Sequence, residues 1–478
     1  MITVIWLRQD LRIHDNALWQ RAASLGVPVL PVYVLPDHWL APAQTGLDRL
    51  APAKARFLQQ SLDALAEQLA VHNMTLWTAC ANPVTLFTAW HQQQPLQIVT
   101  GAAQAPEENA WLVQLRDAGI TVICDETQPL FQWQQLPFDD EFPASFSRFR
   151  RKVEGKRAPR VAEPLPVPRH WPAMATTPMW PAAMGPYQTA QQVCANRAQY
   201  AADSAGHYFD LAGGEPSAQA WLNSYVFEQR YIRHYKATRN QLIGEGFSSR
   251  MSAYLAWGCL SPRTLWQQTL AYDAQYGDSE HSYWLRFELL WREFFHWSLR
   301  HYGDQYFYYS GIQPQAPARH PPLSSRQQGW WQRWCEADTG IPFVDANLKE
   351  LLTTGFMSNR GRQNVASFFI HDMGLDWRWG AEFFQHHLLD DDVASNWGNW
   401  AYIAGVGHDP RGGRRFSLTK QAHRYDADGA YVRHWLPSLQ SLSASQILAR
   451  HFSEGVSAAP ADYPAPMLRL PNSDRAWL

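Results

Sequence analysis

Short apolar runs alternate with amphipathic stretches over the first 125 residues. ITVIWL (2–7) and VPVLPVYVL (27–35) are typical of buried strands, and the series continues with TLWT (75–78), QIV (97–99) and ITVIC (120–124). Apolar positions at helical spacing lie between these runs, over 55–69, 83–94 and 107–118. The alternation predicts an α/β domain over 1–130, built on a doubly wound, Rossmann-like parallel sheet.

A different pattern begins near residue 215, where apolar positions recur at helical spacing towards the end of the chain. Before it, eight prolines between 159 and 186 exclude a helix or a central strand. We therefore expect a Pro-rich connector over 131–205, draped over a neighbouring surface through Trp171, Trp180 and Tyr187. An all-α domain is expected over 206–478.

The composition narrows the class of protein. Of 478 residues, 41 are Lys or Arg and 43 are Asp or Glu, so a disordered, acidic-tail or uniformly basic protein is excluded. The 24 Trp, 22 Phe and 19 Tyr indicate either a large aromatic core or stacking surfaces for bases or other flat rings. Five scattered cysteines without a CxxC pair, and no run of about 18 apolar residues, predict a soluble cytoplasmic protein.

One helical stretch, WLRFELLWREFF (284–295), places a carboxylate between two indoles. Trp284, Glu288 and Trp291 are spaced i, i+4, i+7 and so share a helix face. Burying an unpartnered glutamate is costly, so Glu288 either pairs with Arg292 at i+4 or binds a ligand. The spacing favours neither explanation.

Two later segments carry patterned polar side chains. Asn359, Arg362 and Gln363 share one face of a helix start, which suits either a polar ring system or a solvated first turn. Three adjacent carboxylates, Asp390–Asp392, precede Asn396 and suggest a metal site. The loop lacks the calcium-binding pattern, and no HExxH motif or His/Cys cluster accompanies it, so we do not predict a metal there.

Two segments of the sequence are suited to binding phosphate groups. Ser248, Ser249 and Ser252 stand just before an apolar run at a helix start, where plain N-capping explains them equally well. No Walker A loop occurs. Basic residues predict either phosphate-backbone contacts or a solvated face at Arg148, Arg150, Arg151, Lys152, Lys156, Arg157 and Arg160, and again at Arg411, Arg414, Arg415, Lys420 and Arg424.

Taken together, these motifs resemble the cryptochrome/photolyase family, and most of all its cryptochrome DASH branch, over nearly the whole chain. The matching segments are VIWLRQDLRIHDN (4–16), FPASFSRFRRKVE (142–154), SSRMSAYLAWGCLSPR (248–263), WLRFELLWREFF (284–295), DANLKELLTTGFMSNRGRQNVASFF (345–369) and DDDVASNWGNWAYIAGVGHDPR (390–411). The resemblance implies an α/β antenna domain and a helical FAD-binding domain. It also implies a deoxyribodipyrimidine photo-lyase, which repairs cyclobutane pyrimidine dimers under blue light by electron transfer from reduced flavin.

The resemblance assigns cofactor residues by motif position. On the FAD phosphate side these are Tyr235, Ser248, Ser249, Arg250, Met251 and Ser252, and around the flavin they are Trp284, Asn359, Arg362, Asp390, Asp392 and Asn396. An Arg362–Asp390 ion pair and the Asn396 amide would stabilise the reduced flavin. The aspartates are then flavin ligands rather than metal ligands.

The resemblance also implies the catalytic residues Glu288, Trp291, Asn359 and Asn396. Glu288 would hydrogen-bond the extruded pyrimidines while Trp291 stacks on them. Asn359 stands where (6-4) photolyases have a catalytic histidine, which favours the cyclobutane dimer as substrate.

The expected partner is DNA, preferably single-stranded. We expect a monomer that does not bind a membrane. Tyr402 stands where duplex photolyases have a second stacking Trp, and Gln363 where they have Met. A smaller stacking face gives less energy for extruding a dimer from a duplex, so single strands are favoured. Arg148 and Arg151 are the expected contacts to the DNA backbone.

Two accessory features follow from the same resemblance. Trp400 and Trp377 match the inner and middle members of the family's electron-transfer chain, but Ser324 occupies the outer position. Photoreduction is then slow, or a neighbouring indole substitutes, the candidates being Trp330, Trp331 and Trp334. Family members often hold the antenna 5,10-methenyltetrahydrofolate through a glutamate near Glu107 or Glu108, although both also suit the first turn of a helix.

A second interpretation is a cryptochrome-type blue-light photoreceptor or regulator that binds FAD and nucleic acid without repair. A third is a light-independent nucleic-acid binder that keeps FAD for stability. The presence of Glu288, Trp291 and Asn359 favours repair.

Overall fold

The computed structural model describes residues 1–138, 141–202, 211–409, 411–450 and 462–471. A parallel sheet of five strands forms the centre of its amino-terminal part. The strands are β1 (Ile2–Leu7), β2 (Val29–Pro36), β3 (Trp77–Ala81), β4 (Leu96–Gly101) and β5 (Thr121–Asp125), in the order β3-β2-β1-β4-β5. The predicted α/β fold is confirmed, although β3 starts at Trp77, opposite Val32 of β2, and not at Thr75.

Helices cover the sheet. They are α1 (Ala17–Ser24), α2 (Pro52–Ala70), α3 (Pro83–Gln93) and α4 (Pro106–Asp117). Because of this cover, every residue of β1 and β2 is buried, which explains why both strands are unbroken apolar runs. Proline begins α2, α3 and α4, where the missing N–H has no intrahelical acceptor to lose.

The proline-rich connector packs against the sheet domain, as predicted. Val29 exchanges backbone hydrogen bonds with residues 173 and 175. The Tyr187 ring stacks on Trp77 at 5.5 Å between centroids, and Trp171 stacks on His72 at 4.3 Å. Two helices lie within the connector, α5 (Phe146–Val153) and α6 (Ala190–Ala198). The expected domain boundary at 205/206 lies outside the described residues, and the one at 130/131 stays a prediction.

The remainder is helical, as the spacing predicts. Its helices are α7 (Glu215–Asn223), α8 (Tyr235–Thr238), α9 (Met251–Ala256), α10 (Pro262–Tyr276), α11 (Glu280–Tyr302), α12 (Ser325–Cys335), α13 (Pro342–Thr354), α14 (Asn359–Ser367), α15 (Trp377–His387), α16 (Val393–Ala404), α17 (Leu418–Tyr425), α18 (Ala430–Trp435) and α19 (Ala444–Ala449). Within the described part of the chain, none of these is long and apolar enough to cross a bilayer.

Helix α11 joins the two parts of the molecule. The buried Glu293 carboxylate accepts the backbone N–H groups of Leu130 at 2.8 Å and Phe131 at 3.2 Å. About two helical turns further on, Arg300 donates to both carboxylate oxygens of Glu126 at 2.7 and 2.9 Å. These contacts fix segment 126–131, which follows the last strand, against the helical domain.

Candidate functional site

A cavity opens among α8, α9, α11, α14 and α16. Most of the predicted cofactor and lesion residues line it, namely Tyr235, Ser248, Ser249, Arg250, Met251, Ser252, Glu288, Asn359, Arg362, Gln363, Asp390, Asp392, Asn396 and Trp400. The fold therefore brings together motifs that are far apart in the sequence. We call this space the helical-domain cavity.

Its serine-bearing wall lies at the start of α9. Arg250 occupies the N-cap position in the left-handed conformation, with φ of 51°, and no side chain caps the helix. N-capping, one of the two explanations of these serines, is therefore wrong, and Ser248, Ser249 and Ser252 line the cavity instead. Burial lowers the pKa of Arg250 to about 10, so its guanidinium remains charged at neutral pH.

Another part of the wall carries the predicted ion pair between Arg362 and Asp390. The Nη2 group of Arg362 donates to both oxygens of the buried Asp390 carboxylate, at 3.0 and 2.9 Å. The Nε of the same guanidinium donates to the Met357 carbonyl at 2.8 Å. With two groups fixing it, Arg362 presents a positive charge of defined orientation to the cavity.

Each carboxylate of the 390–392 run has a cationic or histidine partner of its own. The partners are Arg362 for Asp390, Lys54 for Asp391 and His296 for Asp392, at 2.9, 2.9 and 2.6 Å. Because the three carboxylates are held by different elements, they do not converge on a common point. This pairing accounts for the acidic run.

Asn396 lies one turn into α16 with its side chain buried. Its Nδ2 donates to the Ala381 carbonyl at 2.9 Å. A primary amide has two N–H donors and one acceptor oxygen, so one donor and the oxygen remain for a ligand in the cavity.

Glu288 is paired, but not with Arg292. Its Oε1 accepts a hydrogen bond from Nη1 of Arg239, which follows α8. Arg292 instead donates to the carbonyl and side-chain oxygens of Gln128, at 2.9 and 2.6 Å. Burial raises the pKa of Glu288, and Arg239 opposes that rise. Helical spacing cannot relate Arg239 to Glu288, because the two residues lie 49 positions apart. The only sequence signal for Arg239 is its position four residues after Tyr235.

Three predicted aromatic residues, Trp284, Trp291 and Tyr402, are not among the residues that line the cavity. The Trp291 ring stacks on Phe146 of α5, with centroids 3.8 Å apart and planes 12° apart. Tyr402 lies edge-on to Trp291 at 6.0 Å, and its hydroxyl accepts from Arg414 at 2.6 Å. Phe146 covers one face of Trp291, so at most one face remains for a base.

The expected electron-transfer positions differ in their surroundings. Trp400 lines the cavity, and the buried Trp377 packs edge-on against Trp397 at 5.8 Å. Ser324, at the expected outer position, is the N-cap of α12 and accepts the N–H of Gln327. The residue at the expected outer position therefore caps a helix and supplies no indole ring.

Two of the three candidate substitutes adjoin Trp400 through one ring. Trp331 and Trp334 stack at 5.8 Å, and Phe369 contacts Trp334 at 4.7 Å and Trp400 at 5.6 Å. Trp330 instead donates its indole N–H to a backbone carbonyl of the carboxyl-terminal segment at 3.0 Å. Trp331 and Trp334 thus lie in ring contact with the surroundings of Trp400, whereas Trp330 does not share this contact with Phe369.

Helix α5 explains part of the basic cluster. It buries Phe146, Phe149 and Val153 on one face and leaves Arg148 and Arg151 exposed on the other. Since Phe146 contacts Trp291, α5 lies beside Trp291 and carries these arginines on its exposed face.

Comparisons with known proteins agree with this architecture. Residues 3–169 match the family described as DNA photolyase, and residues 284–478 match the FAD binding domain of DNA photolyase. Cryptochrome DASH of Gloeobacter violaceus is 36% identical, over 93% of this chain and 87% of that protein. Cryptochrome DASH of Natronomonas pharaonis is also 36% identical, over 98% of each chain.

The chain belongs to the cryptochrome/photolyase family. The crystal structure of Synechocystis sp. PCC6803 cryptochrome, also of this family, superposes with a TM-score of 0.87 at 33% identity and covers 100% of this chain and 98% of that one. The α/β and helical FAD-binding architecture is therefore that of the family.

The helical-domain cavity of this family member fits FAD by its donor set. The charged Arg250 and the serines suit a diphosphate, while the Arg362–Asp390 pair and the remaining Asn396 groups suit a polar ring system. Reduced FAD, when bound and excited by blue light, supplies an electron.

A second cavity lies between the two domains. Its lining includes Gln9, Trp39, Arg49, Lys54, Gln104, Glu107, Gln128, His296, Asp391 and Asp392. Trp39 Nε1, Gln128 Nε2 and Asp391 Oδ1 are buried without a hydrogen-bond partner among the described residues. Since buried polar groups are normally paired, this interdomain cavity suits a ligand that offers both donors and acceptors.

The two candidate antenna glutamates have different roles. Glu107 lines the interdomain cavity, where His38 at 2.7 Å and Arg49 at 2.9 Å lower its pKa to about 2 although burial opposes them. Glu108 caps α4, accepting the N–H of Gln104 at 2.7 Å, and pairs with a buried arginine. The helix-turn explanation thus holds for Glu108, although both glutamates line the interdomain cavity.

Proposed function

We propose that this protein is a deoxyribodipyrimidine photo-lyase that repairs cyclobutane pyrimidine dimers, mainly in single-stranded DNA, by light-driven electron transfer from FAD. One observation carries the proposal. The cavity that holds the Arg362–Asp390 pair is also lined by Glu288 and Asn359. A dimer bound at these two residues shares one cavity with the cofactor, which keeps the electron path short.

Glu288 hydrogen-bonds the dimer in this proposal. Arg239 engages Oε1 and thereby fixes the carboxylate, which leaves Oε2 for the pyrimidine ring. Asn359, at the first turn of α14, offers an amide to the same lesion, and Asn396 offers its remaining groups to the flavin. These residues bind and orient the reacting partners rather than react covalently.

The preference for single strands rests on the aromatic residues. Tyr402 is tied to Arg414, and Trp291 has one face covered by Phe146, so the stacking surface for an extruded dimer is small. Extruding a paired base from a duplex costs a few kcal/mol of unstacking and unpairing, which an unpaired lesion mostly avoids. The exposed Arg148 and Arg151 then contact the DNA backbone.

The decisive experiment is blue-light repair of one thymine dimer in matched single-stranded and duplex oligonucleotides by the fully reduced holoenzyme. We expect single-strand repair, lowered at least tenfold by Glu288→Ala, because about 1.4 kcal/mol of transition-state binding corresponds to that factor. Glu280→Ala, an exposed glutamate on the same helix, is the matched control and should repair normally. Efficient duplex repair would contradict the role given to Tyr402.

The same stacking of Phe146 on Trp291 favours a second candidate, a blue-light photoreceptor that binds FAD and nucleic acid without repair. In that case neither oligonucleotide is repaired although FAD is bound and photoreducible. The repair assay therefore separates the two functions.

We infer that Trp400, Trp377 and the Trp334–Trp331 pair carry electrons to the cofactor. The support for Trp400 and the Trp334–Trp331 pair is the chain of ring contacts through Phe369, together with the capping role of Ser324. Trp377 is included on its position in the family's chain. Trp334→Phe should slow photoreduction of the oxidised holoenzyme by an external thiol several-fold. Trp330→Phe, outside those contacts, should not, and equal rates in all three proteins would rule out this route.

The antenna proposed for the interdomain cavity is 5,10-methenyltetrahydrofolate, with Glu107 as its carboxylate ligand. The unpartnered donors and acceptor in that cavity support a heterocycle of this kind. A cytoplasmic location and a monomeric state stay predictions.

A further inference from the structure

Asp392 borders both cavities, and the buried His296 of α11 holds it in place. Nε2 of His296 lies 2.6 Å from Oδ2 of Asp392, and Nδ1 lies 3.3 Å from Oε1 of Gln104. The Gln104 amide is oriented by its own Nε2, which donates to the Ala102 carbonyl at 3.1 Å. The imidazole therefore stands between two oxygen acceptors.

The two contacts define one protonation state of the pair in which both are hydrogen bonds. A neutral imidazole has one N–H and can donate to only one of two acceptors. Both contacts are hydrogen bonds only when a second proton lies between Nε2 and Oδ2, on either atom. In both cases the His296–Asp392 pair has no net charge.

Arg292 is a further charge that acts on both members of the pair. Burial and Arg292 lower the pKa of His296, and Arg300 adds to this, whereas Asp392 raises it. Although burial opposes ionisation of Asp392, His296 and Arg292 lower the pKa of that carboxyl. Its other oxygen accepts the Ser395 N–H at 2.7 Å, as the N-cap of α16. Without His296, the carboxylate would keep its place at this helix start and its negative charge.

We propose that His296 is a positioning residue for the cofactor: it neutralises Asp392 where that carboxylate borders the helical-domain cavity, so that the cavity favours an anionic reduced flavin. The inference rests on the proposed function in one respect, namely that FAD occupies this cavity. His296 lies on the far side of Asp392 and acts on FAD only through it.

The test compares the dissociation constant of FAD and the midpoint potential of bound FAD in variants of the full chain. His296→Ala should weaken reduced FAD at least tenfold more than oxidised FAD, which lowers the two-electron midpoint potential by about 30 mV. His296→Gln keeps a donor but brings no charge, so the potential should stay low. His296→Ala combined with Asp392→Asn removes both charges and should restore the potential.

His301→Ala, at an exposed position of the same helix, is the control. A wild-type potential in His296→Ala would overturn the inference and leave His296 a purely structural role. If that variant does not fold, His296→Gln decides the matter by the same measurement. A wild-type protein that binds no FAD would overturn the proposed function instead, so the two failures are distinguishable.

Discussion

The helical-domain cavity and the interdomain cavity share Asp392 and Ala256 but are built differently. The first draws its lining from helices of one domain, and most of its polar groups lie in three sequence motifs. The second draws on both domains, which the Lys54–Asp391 ion pair joins. The first cavity therefore depends on the folding of one domain, and the second on how the two domains dock.

The largest expected effect comes from breaking the Arg362–Asp390 pair, which lines the helical-domain cavity and not the interdomain cavity. Arg362→Ala leaves the buried Asp390 carboxylate unpaired, at a cost of about 3 kcal/mol. We expect the FAD dissociation constant to rise about 100-fold, while antenna binding is unchanged. Equilibrium dialysis with each ligand measures both.

Arg378→Ala is the matched control, because Arg378 makes a similar pair with Asp376 away from either cavity. Its affinity for FAD should be that of the wild type. Equal losses of FAD in the two variants would mean that Arg362 acts through stability alone.

The next effect concerns domain docking and its pH dependence. Burial raises the pKa of Glu293 to about 7, although three donors oppose the rise. A raised folded-state pKa means that the stabilising proton is fully bound below about 4.5 and is lost as the pH rises through 7. The free energy of unfolding should then fall over this window, by up to about 3 kcal/mol at 1.36 kcal/mol per pKa unit.

Glu293→Gln should flatten this fall, as measured by denaturant unfolding between pH 4.5 and 8. Glu350→Gln is the comparison within the helical domain, since burial also raises the pKa of Glu350 to about 7. Only the Glu293 variant should change the proteolysis of segment 126–131. An unaltered pH profile in Glu293→Gln would contradict the assignment.

The smallest effect distinguishes the two adjacent glutamates. Glu107→Ala should lower folate binding at least tenfold with a stability change below about 1 kcal/mol, because its ion pairs are partly exposed. Glu108→Ala should cost more than about 1 kcal/mol, because it removes the cap of α4 and also leaves the buried Arg8 without its carboxylate partner. Absorbance of bound folate and thermal unfolding are the two measurements, and folate loss in Glu108→Ala alone would reverse the roles.

Periodicity was sufficient for the fold, whereas the family resemblance was needed to assign most residues of the helical-domain cavity. The strands and helices follow from local spacing, and groups such as Asn359, Arg362 and Gln363 lie on one turn, where spacing determines proximity. The Arg362–Asp390 pair was also foreseen, through the family resemblance.

The remaining contacts join residues that no local pattern relates. Arg239 reaches Glu288, His296 reaches Asp392, and Phe146 covers Trp291 only because separate helices pack together. The interdomain cavity is the extreme case, since its walls exist only after docking. Side-chain partners of this kind depend on tertiary packing rather than on propensity.

The anchoring of Leu130 and Phe131 by Glu293 also sets an order of events during synthesis. The two partners are separated by 163 and 162 residues. At about 5 to 20 residues per second, the ribosome takes roughly 10 to 30 s to make that length. The sheet domain thus emerges well before its anchor, and for that interval the end of β5 and the segment after it must remain soluble without α11.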